Sequence, residues 1–265
     1  MRDTYGRVLR AGAVAAAGGL LLAGCSSGGG GDDARPSRAT PSAPASGTPT
    51  TSPTPGFTPD PKKAPRDAAD AERIALAIVG RPDDWGPDFV GRSPLLSAPG
   101  YWPVLDTDCT WEAGTLPRTV LYSVTTYSEI PAADGKGPLR VAATVTVHRT
   151  AADAEWEMAA TLEEALRCPE QQLRQGERIT DLKSLGVPYG ADENLDTVME
   201  QGSYLADAFK GPQSYSWQQL RIGQVSVAAV VKGAPGRAPA EGTTAQIRVS
   251  GLMQARAKTQ LGAQS

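Results

Sequence analysis

The chain has 265 residues, with 26 Lys plus Arg against 29 Asp plus Glu and a formal net charge of −3. That length supports one good-sized domain or two small ones. The stretch from Arg66 to Ser265 holds 19 basic and 25 acidic residues with no run of three Lys or Arg, which argues against a nucleic-acid partner, since phosphate binding needs a basic footprint.

The N-terminus carries Arg2, Arg7 and Arg10, then an apolar run from Ala11 to Gly24. The run falls short of the ~20 residues of a membrane-spanning helix but suits the apolar region of a secretory signal. It ends in Leu22-Ala23-Gly24-Cys25, which resembles the bacterial lipobox. In that motif the cysteine thiol becomes a thioether to diacylglycerol, and small residues before it admit the peptidase. Residues 1–24 are therefore predicted to be a lipoprotein signal peptide, with Cys25 the lipidated first residue of the mature chain. Residues 25–65 hold GGGG and a Pro, Ser and Thr tract with almost nothing to bury, so they are predicted to be a disordered linker. In polyproline geometry at ~3.1 Å per residue it would reach roughly 120 Å.

A single α+β extracytoplasmic domain is predicted over 66–265. Asp67 to Gly80 reads as a first helix, with acidic residues in its opening turn and Gly80 and Pro82 to stop it. The Pro- and Trp-rich stretch from Pro82 to Trp111 reads as a long packed loop. Thr119–Tyr127 and Leu139–Arg149 alternate with period two around a DGKG turn and predict an antiparallel hairpin. In the second strand Val141, Ala143, Val145 and Val147 form the core face, and Arg140, Thr144, Thr146 and His148 share the other.

Thr150–Cys168 is the clearest helix, capped by Thr150 with Asp153 and stopped by Pro169, with Met158, Leu162, Ala165 and Leu166 on one stripe. Glu155 falls within that stripe, and its place near the helix start is expected to ease its burial. Trp156 lies on the charged side and is expected to cover a neighbouring loop. Residues 176–210 are ambiguous, with a strand expected at Arg178–Leu185 and a short element at Tyr204–Phe209. Ser214–Ile222 and Val225–Lys232 predict a second hairpin about Gly223-Gln224, and Thr243 or Thr244 opens a final helix to about Leu261. The predicted fold is α+β, an antiparallel sheet built from two hairpins with helices packed on one face.

With Cys25 assigned to lipid, Cys109 and Cys168 remain, in an oxidising compartment, and a disulfide between them is expected. No cofactor or metal is expected, because two distant cysteines and one histidine do not make a zinc cage. A Ser-His-acid triad would need His148, and no serine lies in a nucleophile motif. The acidic neighbours Asp83-Asp84, Asp106 with Asp108, Glu163-Glu164 and Asp192-Glu193 read as solvated surface charge without calcium-loop spacing. Trp85, Trp102 and Trp111 sit in loop-like sequence, where exposed indoles stack on ligands, and are the candidate binding residues; the competing reading of each is core filling.

The lipobox, the Thr-Pro linker, Cys109 before a sheet and Cys168 at the end of a helix resemble actinobacterial secreted lipoproteins of unassigned function. More loosely, residues 66–262 are similar to the extracellular sensor domains of actinobacterial serine/threonine kinases, which implies an α+β cleft domain with disulfides. This chain has neither a kinase domain nor a second cysteine pair, and the resemblance assigns no site residues. The expected function is a non-catalytic ligand-binding or sensor-like module, held by Cys25 on the outer face of the cytoplasmic membrane and meeting a cell-wall ligand or protein partner. The alternatives are a carboxylate-dependent cell-wall hydrolase and a structural or assembly partner.

Overall fold

The computed structural model describes residues 57–188 and 194–263. Cys25, the signal, most of the linker and the Asp192-Glu193 pair lie outside the described residues. The packed structure starts before the expected boundary at Arg66. Phe57 packs against the core, Asp60 N–H donates to the Leu261 carbonyl at 2.7 Å, and Ala263 N–H donates to the Thr58 carbonyl at 3.1 Å. Phe57 gives the segment an apolar anchor that its proline-rich composition masks.

Four helices, a short 3-10 turn at Pro61–Lys63 and ten strands are present among the described residues. Helix α1 (Ala68–Ile78) is capped by Asp67, whose side chain accepts the Asp70 N–H, and it buries Ala71, Ile74, Ala75 and Ile78 at helical spacing. The stretch predicted as a loop instead holds a short helix α2 (Pro82–Trp85) and three strands: β1 (Val90–Leu96), β2 (Tyr101–Leu105) and β3 (Trp111–Thr115). Pro94 and Pro103 disguise β1 and β2. Both strands tolerate proline because β1 is a sheet edge and β2 pairs with β3 in a separate two-stranded ribbon.

Strands β4 (Val120–Ile130) and β5 (Leu139–His148) follow, joined by a turn in which Asp134 and Gly135 take φ of 51° and 74°. Then come α3 (Ala151–Arg167), β6 (Gln171–Arg174), β7 (Glu177–Pro188), β8 (Leu195–Ala206), β9 (Gln213–Ile222), β10 (Val225–Lys232) and α4 (Pro239–Leu261). Helix α4 begins earlier than predicted because Pro239 suits a first turn and Glu241 accepts the Ala238 N–H at 3.3 Å.

The main sheet has eight strands, all antiparallel, in the order β1-β4-β5-β10-β9-β8-β7-β6. The fold is α+β around an antiparallel sheet, but the expectation of two hairpins with helices on one face is corrected. The sheet extends well beyond four strands, and it is covered on both faces. Val141, Val145 and Val147 of β5 pack with Val225 and Val227 of β10 against α1 and α4 in the main core. Helix α3 lies on the opposite face, where Ala165 joins Ile179, Tyr204 and Tyr215 in a second cluster. Leu166, expected on the apolar stripe, is 82% exposed, because the stripe drifts past the edge of that cluster by the last turn.

Candidate functional site

The second face of the central strands is where the fold leaves space. Alternation in β5 turns Thr144, Thr146 and His148 away from the main core. A register shift between Val120 and Tyr122 in β4 brings Val120 opposite His148 on that same side. Ser226 and Ala228 of β10 and Trp217 and Gln219 of β9 extend the floor, which underlies a cleft of about 580 Å³.

One wall is α3. Its stripe of Ala154, Met158 and Ala165 is buried against the sheet. A second stripe of Asp153, Glu157, Thr161 and Glu164, about a third of a turn away, lines the cleft. The other wall is the β2–β3 ribbon, which contributes Tyr101, Trp102, Val104 and Trp111. The Cys109–Cys168 disulfide, with Cα atoms 5.5 Å apart, pins this ribbon to the end of α3. Trp111 Nε1–H donates to Gln171 Oε1 at 2.8 Å, Gln172 N–H to the Cys109 carbonyl at 2.8 Å, and Arg167 Nη1 to the Asp106 carbonyl at 2.9 Å. The wall is therefore fixed by several contacts besides the covalent one.

The floor hydroxyls are bonded to one another across the strands, Ser123 to Thr146 at 3.1 Å and Thr125 to Thr144 at 2.9 Å. Thr161 bonds to Gln219 Oε1 at 3.0 Å. At the end of the cleft next to the start of α3, His148 Nε2 lies 2.9 Å from Glu157 Oε2, and the Ser226 hydroxyl donates to the same oxygen. His148 is only 1% exposed, and its Nδ1 has no hydrogen-bond partner. Because Ser226 and His148 both address Glu157 and not each other, the imidazole is not placed to take the serine proton, as a nucleophilic triad requires.

Glu164 faces the cleft two turns beyond Glu157. Burial lifts its carboxyl to about 7, with the charges of Glu163 and Glu157 adding to the shift and Arg167 opposing it. Behind it on β8, Glu200 is also raised to about 7, by burial and then by the charge of Glu164. The backbone rise from Glu157 to Glu164 is about 10.5 Å. The charged side chains lining the cleft, His148 aside, are Asp153, Glu157 and Glu164, with no Lys or Arg among them.

The candidate tryptophans divide. Trp102 and Trp111 line the cleft. Trp85 is 2% exposed in the main core beside Phe89, because α2 turns it inward under α4, so it is removed from the candidate set. Glu155 is exposed and sits 3.4 Å from Arg221, outside the cleft and the apolar stripe. Sequence reasoning missed His148, Glu157, Glu164, Trp156 and Trp217 as cleft residues. The available signal was the second polar stripe of α3, together with Trp156, which is 76% exposed at the cleft mouth.

Among the described residues no cluster of His, Cys, Asp or Glu is arranged to hold a metal ion, and no helix is long and apolar enough to cross a membrane. No protein-family model and no curated protein matches the chain. An uncharacterized protein of Mycobacterium smegmatis is similar in structure, at 8% identity and a TM-score of 0.26 over 52% of this chain and 68% of that one, a likeness too slight to carry an argument.

Proposed function

We propose that this chain is a lipoprotein anchored through Cys25 to the outer face of the cytoplasmic membrane, whose folded domain is a non-catalytic module that binds a small molecule. The anchor rests on Arg2, Arg7 and Arg10, the short apolar run and Leu22-Ala23-Gly24-Cys25. The observation that carries the binding role is the cleft of about 580 Å³ between α3, the β2–β3 ribbon and the sheet. Its volume lies within the ~300–1,000 Å³ of small-molecule sites, and its walls are aromatic with a few convergent polar groups, as such sites require. A carboxylate-dependent hydrolase has less support, because Glu157 is committed to His148 and Ser226 and stands two helical turns from Glu164. Extraction of the purified native protein into organic solvent, followed by mass spectrometry, tests the role. One discrete compound should be released by the wild type and reduced in a Trp102→Ala variant. Turnover of cell-wall material that vanishes with Glu157→Gln would replace this reading with the hydrolase.

A further inference from the structure

Of the three carboxyls that line the cleft, two are engaged. Asp153 accepts the Thr150 N–H at 3.1 Å and the Thr150 hydroxyl at 2.8 Å, which spends it on the start of α3. Glu157 holds His148 Nε2 and the Ser226 hydroxyl, whichever partner carries the proton. Glu164 is left. The cation one turn on, Arg167, gives Nε to Glu163 at 3.1 Å and its Nη atoms to the Asp106 and Leu105 carbonyls at 2.9 and 3.3 Å, so Glu164 makes no ion pair with it. Behind Glu164, Glu200 is 7% exposed, feels the charge of Glu164 and has no cation of its own. Buried carboxyls of this kind are completed by an opposite charge, and among the described residues the protein supplies none.

The walls suit the same guest. Trp102, Trp111 and Trp156 line the cleft, and the negative face of an indole attracts cations. No Lys or Arg lines it to repel one. The floor does not match a bare hydrocarbon, because Thr144, Thr146 and Gln219 make it polar and Nε1–H of Trp217 is a donor with no partner.

We infer that the cleft takes a small organic cation, an ammonium carried on a polar body with oxygen acceptors, whose charge is received by Glu164. The inference rests on the cleft reading above and narrows it. An anion of the same shape meets a carboxylate with no cation beside it to offset the repulsion, so anionic ligands are rejected.

The test uses the chain from Ser26 onward, exported so that the disulfide forms, and the N-acetyl amides of lysine, norleucine and glutamate, three probes that share a capped body and differ in charge. Binding is followed by tryptophan emission and by calorimetry at pH 8, where the Glu164 carboxyl is ionised. The lysine amide should bind with a Kd at least tenfold below that of the norleucine amide, and the glutamate amide more weakly than either. Glu164→Gln, checked for native circular dichroism, should bring lysine and norleucine within threefold of each other while leaving the norleucine amide unchanged. Glu155→Gln removes the same charge from α3 outside the cleft and should keep the wild-type preference. Equal affinity for the lysine and norleucine amides would overturn the inference, as would no binding of the lysine amide at millimolar concentration. A folded Glu164→Gln variant that keeps the tenfold preference would overturn it too, and so would a Glu155→Gln variant that loses it. A neutral or anionic compound that binds in a Trp102-dependent manner where the lysine amide does not would remove the cation and leave the cleft reading standing. Lysine-amide binding that is identical in wild type and Trp102→Ala would instead sink the cleft reading itself.

Discussion

Replacing both Cys109 and Cys168 by alanine separates what the crosslink does for stability from what it does for the cleft. The bridge closes a loop with a sequence separation of 59. In the chain-entropy picture a loop of that size adds about 4 kcal/mol by restricting the unfolded chain. For a domain of this size, each kcal/mol moves Tm by about 2–4 °C, so the double variant should melt roughly 8–16 °C lower. Cys109 has φ of 65°, a left-handed conformation that strains cysteine and alanine alike, so the substitution adds no backbone cost of its own and the shift reports the crosslink. The native position of the β2–β3 ribbon is also held by Trp111 with Gln171, by Gln172 with Cys109 and by Arg167 with Asp106. Ligand affinity at 25 °C, well below the transition, should therefore change less than twofold. Calorimetric melting and a binding titration on the same sample provide the check. A Tm shift under about 3 °C would refute the entropic argument, and a loss of affinity that parallels the loss of stability would show that the other contacts do not hold the wall.

Cys25→Ser should move the protein out of the membrane fraction; retention there with the normal mature mass would defeat the lipoprotein reading. Trp85→Ala should destabilise the domain by about 3–5 kcal/mol in urea unfolding, because a buried indole leaves a cavity, whereas Trp102→Ala should reduce ligand affinity with a stability change under about 1 kcal/mol. Glu200→Gln should stabilise the domain at pH 8 and leave it unchanged at pH 4. A carboxyl raised on folding from 4.5 to about 7 binds its proton more tightly in the native state, so wild-type stability falls as pH climbs through that interval. Equal unfolding midpoints for the two proteins at pH 8 would contradict this. Arg256 makes a two-pronged bond to Asp84 at 2.7 Å on each arm, tying α4 to α2, and Arg256→Lys should cost about 1 kcal/mol in the same assay at pH 7. Burial works against the Asp84 charge, but the bonds from Arg256 hold its pKa below the usual value, so the difference should fade as acid protonates it.

The parts of the fold that were legible are those whose local pattern has a single cause. Val141, Ala143, Val145 and Val147 alternate because one face of β5 meets the core, and Thr150 with Asp153 marks the start of α3 by filling the orphan donors there. The cysteine pair was legible from counting alone, and the structure joins Cys109 to Cys168. Other parts failed for identifiable reasons. Strands β7 and β8 carry glycines where side chains would collide: a Cβ on Gly186 would sit 2.7 Å from Leu162 Cδ1, and one on Gly202 would sit 2.9 Å from the Thr180 carbonyl oxygen. Tertiary contact, invisible in the pattern, chose glycine over a strand former. The cleft was hidden because Thr144, Thr146 and His148 read as a solvent-facing side, and only the distant ribbon of Trp102 and Trp111, held over them by Gln171, Gln172 and Arg167 as well as by the disulfide, turns that polar face into a floor.

Helix α3 is one rod serving two masters. Ala154, Met158 and Ala165 close the sheet, whereas Asp153, Glu157 and Glu164 look into the cleft. Since the two stripes share a backbone but not a neighbourhood, natural variation can rewrite the second without disturbing the first. Descendants of this chain are free to change what they hold while keeping the shape that holds it, and a mutational scan should divide α3 into a slow-evolving stripe and a fast one, with Glu157, tethered to His148 and Ser226, as the slow member of the fast stripe.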